Sequence, residues 1–402
     1  MRATSKSGRP TVAFFLLRSA EESRQITGGT WSNLALISSL DRHDPLVIVN
    51  ARDLLATELE KRGIRHVVIP EELSWIGARA NPRTLAGKVE RAASYNAKIR
   101  ALCVAEGVDV LQCDENATTF VGLGAKAAGA KLVVAYRNYP SVVPRMRAIY
   151  KLPMLIADRL VATSELLREA IVTQGWRDPA SRTLRIYNGI DTESVGAALA
   201  KADRRATRER LGMAPDEVAI GVIGSIVSFK LQVELLREVI APNAEAFRRA
   251  NARFWFLGGA KDEAYASRCR AIVAEHKLED RIVWAGYIDD MPPWLTSLDV
   301  IAFPAPEGTA RTLLEAAAYG IPAVARDTSR EVVEDGVNGF LCADVKGLAE
   351  PLLRLAAGAE LRSRMGAAGK AIADDRFNVR KNRETYARMY DALVAERRGA
   401  PR

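Results

Sequence analysis

The chain has 402 residues, 48% of them hydrophobic and 27% charged, a composition typical of a soluble globular protein long enough for two domains. Its formal net charge of +9 predicts attraction to an anionic partner: nucleic acid, an anionic lipid surface or a phosphorylated substrate. The sequence contains no run of about 20 apolar residues and no familiar nucleic-acid-binding module, so we expect neither a membrane-spanning helix nor a nucleic-acid partner.

The start of the chain allows two interpretations. Basic residues precede the apolar run 12–17, an arrangement that superficially resembles a signal peptide. Arg18 follows the run at once, and no cleavage site of small residues appears. A first buried strand is therefore the better interpretation.

The first 190 residues alternate short apolar runs with helical patterns, which predicts a doubly wound parallel sheet. Strands are expected at 11–17, 45–50, 66–69, 108–112, 131–136, 158–163 and 185–187. Helices are expected at 31–40, 53–62, 82–106, 118–128 and 164–173. The basic residues of 82–106 are best explained as a solvated helix face.

Three features of this half suit ligand contact. Gly28 and Gly29 precede the first expected helix, where glycines allow the backbone to approach a ligand. Arg137 and Asn138 follow the strand 131–136 and would lie at its carboxyl end. The segment 141–155 mixes basic and apolar residues, which suits contact with an anionic membrane surface or a lipid phosphate, or an ordinary connection.

The Ala-rich, charged segment 196–216 predicts a connecting helix and linker between a first domain, 1–195, and a second, 217–375. In the second domain we expect strands at 218–224, 253–259, 281–285, 300–303 and 321–325. Helices are expected from Lys230 to Ile240, at 264–276, through 312–318, at 348–357 and at 359–373, followed by a long charged helix at 378–397.

Small and polar residues follow several of these strands. Gly224 and Ser225 come before Lys230, and a second glycine pair ends the strand 253–259. That pair is Gly258 and Gly259. Tyr287 follows the strand 281–285 and could form a wall for a nucleobase.

The stretch 299–340 contains a strand, a loop, a helix and a second strand in succession. Thr309 is the expected N-cap of the helix, and Gly320 ends it. Glu307 lies in the loop, and Glu315 would lie roughly 9 Å further along the helix axis. Two glutamates eight residues apart also arise by chance, but this separation suits hydroxyl groups on two sugars flanking a diphosphate.

Many positions of this stretch agree with one family. The ordered set resembles the donor-nucleotide signature of the retaining GT-B glycosyltransferases of family GT4, with its Glu-x7-Glu motif. It comprises Pro304, Glu307, Gly308, Glu315, Ala316, Gly320, Pro322, Glu331, Gly336 and Gly339. The resemblance implies a GT-B fold, with two Rossmann-like parallel-sheet domains facing a central cleft and a C-terminal helix, 376–402, that crosses back to the first domain.

The resemblance also implies transfer of a sugar from a nucleoside diphosphate to a hydroxyl acceptor, with retained anomeric configuration. Glu315 would bind the ribose hydroxyls, and Glu307 would face the transferred sugar. Lys230 matches a lysine that holds the diphosphate, whereas Ser225 stands where an arginine is usual, so Arg311 or Arg330 would have to compensate. The start of the helix, with Gly308, Thr309, Ala310 and Arg311, would lie against the diphosphate.

The chain departs from the family pattern at one further position, and it lacks the motifs of a metal site. Many family members carry a histidine near Arg137, and here Arg137 or Asn138 would replace it. Cysteines and histidines show no metal-ligand spacing, and no Asp-x-Asp motif accompanies the donor strands, so we expect neither metal nor cofactor. We interpret Cys103, Cys113, Cys269 and Cys342 as buried thiols of a cytoplasmic protein.

The donor base, the donor sugar and the acceptor are not legible in the sequence. A basic cytoplasmic chain of this type suggests a lipid-linked or cell-envelope glycan as acceptor, with a peripheral position on the inner face of the cell membrane as a further option. Three alternatives stay open: a nucleotide-sugar-binding module without transfer, an epimerase on the same fold and a nucleic-acid binder.

Overall fold

The computed structural model describes residues 8–18, 26–73, 82–137, 151–174 and 178–399. It divides into two compact units. The first consists of Met1–Gly189 together with Val379–Arg402, and the second of Ile190–Asn378. The chain therefore passes between the units twice, after Gly189 and after Asn378.

Each unit is built on one sheet in which all the observed strand pairs are parallel. The first sheet has the order β3-β2-β1-β4-β5-β6-β7 and the second the order β10-β9-β8-β11-β12-β13. The first contains β1 (Thr11–Leu16), β2 (Asp44–Val49), β3 (His66–Val68), β4 (Val108–Asp114), β5 (Lys131–Tyr136), β6 (Arg159–Ala162) and β7 (Thr183–Arg185). The second contains β8 (Val218–Ile223), β9 (Ala252–Leu257), β10 (Ile282–Gly286), β11 (Val300–Phe303), β12 (Ala323–Arg326) and β13 (Gly339–Cys342). The predicted α/β class with two parallel-sheet units is confirmed.

Helices connect the strands. In the first unit they are α1 (Gly28–Ser39), α2 (Leu54–Lys61), α3 (Pro82–Ala105), α4 (Thr118–Ala127), α5 (151–156), α6 (Glu165–Thr173) and α7 (Pro179–Arg182). The second unit begins with α8 (Thr192–Lys201), α9 (Arg204–Arg210), α10 (Gln232–Glu234), α11 (Ala244–Arg249), α12 (Glu263–Glu275) and α13 (Pro292–Ser297). It continues with α14 (Arg311–Tyr319), α15 (Ala349–Ala357) and α16 (Ala359–Arg376), and α17 (Val379–Arg398) returns to the first unit.

The apolar runs that predicted the strands are continuous because both faces of each sheet are covered. Strand β1 shows this directly, since all six of its residues are buried. Ala13 and Phe15 pack into the core on one face of the sheet, whereas Val12 and Phe14 pack into the core on the other.

Helix α17 covers one face of the first sheet. Tyr390 and Leu393 are fully buried in the core on that face. The Tyr390 hydroxyl donates to Gln112 Oε1 at 2.6 Å, so the one polar atom of this ring has a partner on β4. In the loop before β2, His43 Nε2 lies 3.0 Å from Asp391 Oδ1 of α17.

The segment 196–216, expected to be a linker, contains most of α8 and all of α9 and belongs to the second unit. Arg208 is almost completely buried, donates to the carbonyls of Ser297 and Glu217, and pairs with Asp299 at 3.0 Å. Arg204 pairs with the same carboxylate at 2.7 Å. These interactions bind the segment to the edge of β11.

Two elements of the second unit differ from expectation. The helix expected from Lys230 to Ile240 is broken by Leu231, whose φ is 57°, and its last part, Leu235–Ile240, is a π-helix. Strand β13 was not expected, because it has four residues and begins at a glycine. That glycine is required by packing: a Cβ on Gly339 would lie 2.1 Å from the carbonyl oxygen of Ala323 on β12.

Candidate functional site

The second sheet changes direction between β8 and β11. The chain leaves β8 toward β9 on one side and leaves β11 toward β12 on the other, although β8 and β11 are paired. In parallel α/β sheets the loops that follow the two strands at such a point separate and leave a crevice where ligands bind. The loops at this position are 224–230 and 304–310.

Loop 224–230 is held against the loop that follows β9. Ile226 donates its backbone N–H to Gly259 O at 2.9 Å, and Gln232 Nε2 donates to Ser225 O at 3.0 Å. Gly258 packs so closely that a Cβ there would lie 2.1 Å from Gly224 O. The position of Gly224 itself needs a glycine, because its φ is 143°.

Lys230 and Glu307 connect the two loops of the switch point. Lys230 Nζ donates to Glu307 Oε2 at 2.7 Å, with 18% of the lysine side chain and 33% of the glutamate side chain exposed. The ammonium lies 5.4 Å from the Phe229 ring centre and 5.5 Å from that of Phe303. Ser329 Oγ donates to the Glu307 carbonyl at 2.7 Å, which holds the glutamate backbone.

Helix α14 begins beside this pair. Its N-cap is Ala310, with no side-chain cap, so the prediction of Thr309 as N-cap is wrong. Gly308, Thr309 and Ala310 form the partly exposed loop before the helix. The first N–H groups of a helix point out of its start and favour an anion. The helix ends at Gly320, which has φ 74°, as predicted.

A second ion pair lies on α14. Arg311, its first residue, donates from Nε to Glu315 Oε1 at 2.7 Å, and both side chains are partly buried. The two residues are one helical turn apart on the same face. Glu315, the residue predicted to bind the ribose, is therefore in direct contact with Arg311, the first basic residue of the helix.

Tyr287 lies two strands away from loop 224–230, because β9 separates β10 from β8. It follows β10 and is 43% exposed, which leaves part of the ring open to solvent. A Cβ on Gly259 would lie 3.6 Å from Tyr287 Cβ, so the glycine lies beneath the tyrosine without crowding it. The residues predicted for donor binding in the second unit follow the carboxyl ends of β8, β9, β10 and β11 or lie in the first turns of α14: Gly224, Ser225, Lys230, Gly258, Gly259, Tyr287, Glu307, Gly308, Thr309, Ala310, Arg311 and Glu315.

The first unit holds a separate polar cluster around Arg137. Arg137 donates from Nε to Asp114 Oδ1 at 2.9 Å and from Nη1 to Asn188 Oδ1 at 2.7 Å, and Nη2 donates to Asn33 Oδ1. Burial alone would lower the pKa of the Arg137 guanidinium, but Asp114 raises it, so the arginine stays charged. This geometry favours a role for Arg137 in ordering its neighbours. Asp114, Asn33 and Asn188 were not predicted as site residues, although Asp114 ends β4 at the switch point of the first sheet.

The glycine pair of the first unit lies inside helix α1 instead of before it. Gly28 and Gly29 are its first residues, and Thr27 is the N-cap, accepting from Thr30 N. A Cβ on Gly29 would lie 3.4 Å from Arg137 Cδ. A methyl group at this position would therefore touch the arginine side chain at an ordinary van der Waals distance.

Two predicted features fall wholly or partly outside the described residues. These are Asn138 and residues 141–150 of the segment 141–155. Of the remaining part, in α5, Met154 is fully buried in the core of the first unit. Arg182 donates to the carbonyls of Met154 and Ala157, so this end of the segment packs inward.

The four cysteines are buried and form no disulfide. Burial raises the pKa of Cys103 and Cys113 to about 12 and that of Cys269 and Cys342 to about 11. The thiols are therefore protonated at neutral pH and poor nucleophiles. Within the described ranges, no group of three or more His, Cys, Asp or Glu side chains could hold a metal ion. None of the helices in that part of the chain combines the length and hydrophobicity needed to cross a bilayer.

Comparison with known proteins agrees with this geometry. Residues 217–357 match the family model described as Glycosyl transferases group 1. The lipopolysaccharide core biosynthesis mannosyltransferase LpsB of Rhizobium meliloti is 28% identical over 224 residues, which is 52% of this chain and 60% of that protein. D-inositol 3-phosphate glycosyltransferase 2 of Catenulispora acidiphila is 28% identical over 201 residues, 46% of this chain and 44% of that protein. The chain thus aligns with less than two thirds of the length of either relative.

A solved structure matches over a longer range. Anabaena Alr3699/HepE, in complex with UDP and glucose, superposes with a TM-score of 0.76 at 22% identity, covering 96% of this chain and 100% of that one. The likeness at this identity concerns the fold. The match to the family model is confined to residues 217–357, which make up most of the second unit.

The contact between Gly258 and Gly224 gives a direct structural prediction. Gly258→Ala should lower the free energy of unfolding by about 1–3 kcal/mol, because the added methyl group meets backbone that cannot move aside. Chemical denaturation followed by circular dichroism measures this. Gly259→Ala, at the adjacent and uncrowded position, should change stability by no more than about 0.5 kcal/mol. Equal stability of the two variants would show that the loops are not in close contact.

Proposed function

We propose that the protein is a retaining glycosyltransferase that moves a sugar from a nucleoside diphosphate to a hydroxyl acceptor. The observation that carries the proposal is the Lys230–Glu307 pair at the switch point of the second sheet, beside the start of α14. The glycosyl transferases group 1 match covers these residues, and HepE, a protein of the same fold, has been crystallised with UDP and glucose.

The difficult step is separation of the sugar from the diphosphate, because negative charge develops on the leaving oxygen. Preorganised positive groups in a protected site commonly lower such barriers by several kcal/mol, on the order of 3 kcal/mol for one donor. Lys230 and the N–H groups at the start of α14 would supply this charge. We therefore propose a reaction that needs no resident metal ion or cofactor.

In this arrangement each acidic residue accepts hydrogen bonds from hydroxyl groups of the donor. Glu307 would bind the transferred sugar and Glu315 the ribose, while Tyr287 would lie against the nucleobase. The glycosidic bond to the diphosphate oxygen breaks, and a new bond forms between the same carbon and the acceptor oxygen. The acceptor proton passes to the leaving diphosphate, which departs from the face that the acceptor enters, so the configuration is retained.

A cell-envelope or lipid-linked glycan is the acceptor class that we propose. Support comes from the relative named for lipopolysaccharide core biosynthesis, whereas the other relative is named for a phosphorylated inositol. The net charge of +9 suits an anionic acceptor or an anionic membrane surface, and agrees with a cytoplasmic protein that associates peripherally with the membrane.

One observation favours a second candidate. By the resemblance to family GT4, Ser225 stands where an arginine is usual, which is compatible with a module that binds a nucleotide sugar without transferring it. Such a module would bind nucleotide but release no sugar from it. An epimerase on this fold would convert the nucleotide sugar in the absence of an acceptor.

Lys230 provides the test of the transferase proposal. Lys230→Ala should reduce turnover about tenfold to a thousandfold, because one charge-stabilising donor is lost. The measurement is release of nucleoside diphosphate from a panel of UDP-, GDP- and ADP-sugars, with and without extracted envelope glycolipids. Lys201→Ala, at an exposed position on α8, is the matched control and should retain wild-type turnover. Wild-type turnover in the Lys230 variant would refute the assignment.

Glu315 provides a test of the ribose contact. The wild-type protein should bind a nucleoside diphosphate at least about tenfold more tightly than its 2′,3′-dideoxy analogue, since a charged acceptor contributes about 1.5–3 kcal/mol. Glu315→Ala should lose this preference in calorimetric titrations. Glu350→Ala, which removes an exposed carboxylate on α15, should keep it. A preference that survives in the Glu315 variant would remove the ribose role.

A further inference from the structure

Two ion pairs lie at the carboxyl edge of the second sheet. Lys230 is bonded to Glu307, and Arg311 is bonded to Glu315, both at 2.7 Å. All four side chains are partly exposed, with 18% to 33% of their surface in contact with solvent. In the ligand-free protein, two cations and two carboxylates therefore neutralise one another.

The position of Arg311 is unfavourable for helix stability. As the first residue of α14, it places a cation at the positive end of the helix dipole, where an anion is preferred. Its pairing with Glu315 offsets this only weakly, because partly exposed ion pairs one turn apart on a helix contribute little. An arginine at this point is better explained by an anionic ligand than by the stability of the helix.

The proposed donor has the chemistry to exchange with both pairs. A diphosphate binds guanidinium through paired hydrogen bonds, and ribose hydroxyls donate to carboxylates. In the neighbouring loop, 224–230, Lys230 is the only cationic residue. Any second cation that contacts the diphosphate would then come from another element, and Arg311 is the first basic residue of α14.

We propose that Arg311 is the second diphosphate-binding cation of this site and that Glu315 holds it in place until the donor arrives. Donor binding exchanges partners: Arg311 moves from Glu315 to the diphosphate, and Glu315 becomes free to accept the ribose hydroxyls. No covalent bond is made or broken in this step. The inference rests on the proposed function, since it requires a nucleoside diphosphate at α14.

The exchange predicts opposite effects on two parts of the ligand. Removing Arg311 takes a partner from the diphosphate, yet it also releases Glu315 for the ribose. Arg311→Ala should therefore bind the diphosphate about tenfold to a hundredfold more weakly. The same variant should bind the corresponding nucleoside as tightly as the wild-type protein, or more tightly.

Ligand-observed NMR titrations test this with UDP, GDP and ADP and with uridine, guanosine and adenosine, all on the full chain. Arg311→Gln keeps the length of the side chain without its charge and should behave like the alanine variant, which excludes an effect of lost packing. Arg311→Lys should recover part of the diphosphate affinity. Arg388→Ala, an exposed arginine in an ion pair of the same spacing on α17, controls for the change in net charge and should match the wild type.

The outcomes distinguish failure of the proposed function from failure of the inference about Arg311. Wild-type protein that binds none of the three diphosphates overturns the proposed function, and this inference with it. Suppose that the wild-type protein binds a diphosphate, but that Arg311→Ala changes the diphosphate and nucleoside affinities by the same factor. That result overturns this inference alone. A selective loss of diphosphate affinity supports it.

Discussion

The hydrogen bond between Lys230 and Glu307 is the interaction on which the donor site depends. It joins two loops that diverge from adjacent parallel strands. Because the pair is only partly exposed, water screens it less than a surface pair, and the loops keep their spacing. A charged ligand can still replace either partner. The contact is therefore strong enough to order the site and accessible enough to be exchanged.

Backbone packing sets the rest of the geometry. At Gly258 and Gly339 a side chain would collide with a neighbouring carbonyl oxygen, and at Gly224 and Gly320 the backbone has a positive φ. The glycines of this unit thus mark places where chain segments meet closely or turn sharply. The ionic groups then lie on loops that backbone contacts also hold, which is a condition for preorganised electrostatic stabilisation.

Periodicity predicted most of the fold because parallel strands buried on both faces are unbroken apolar runs, as in β5, which matches its expected bounds. It missed β13, which is short and starts at a glycine. It also assigned Thr309 as a cap, because capping residues are recognised by type whereas the actual boundary depends on how the loop leaves β11. The glutamate and lysine positions followed from the family signature. The partners of Arg137 did not, since Asn33, Asp114 and Asn188 are brought together only by the parallel sheet.

The charge exchange and the transferase chemistry share one requirement, a nucleoside diphosphate against the start of α14. The measurement that tests this most directly is a crystal structure of the protein with a nucleoside diphosphate that it binds in titration. The account predicts the diphosphate within hydrogen-bonding distance of Lys230 Nζ and the first N–H groups of α14, with the ribose at Glu315. A nucleotide bound in the first unit, or one in the second unit with the Lys230–Glu307 and Arg311–Glu315 pairs both intact, would contradict it.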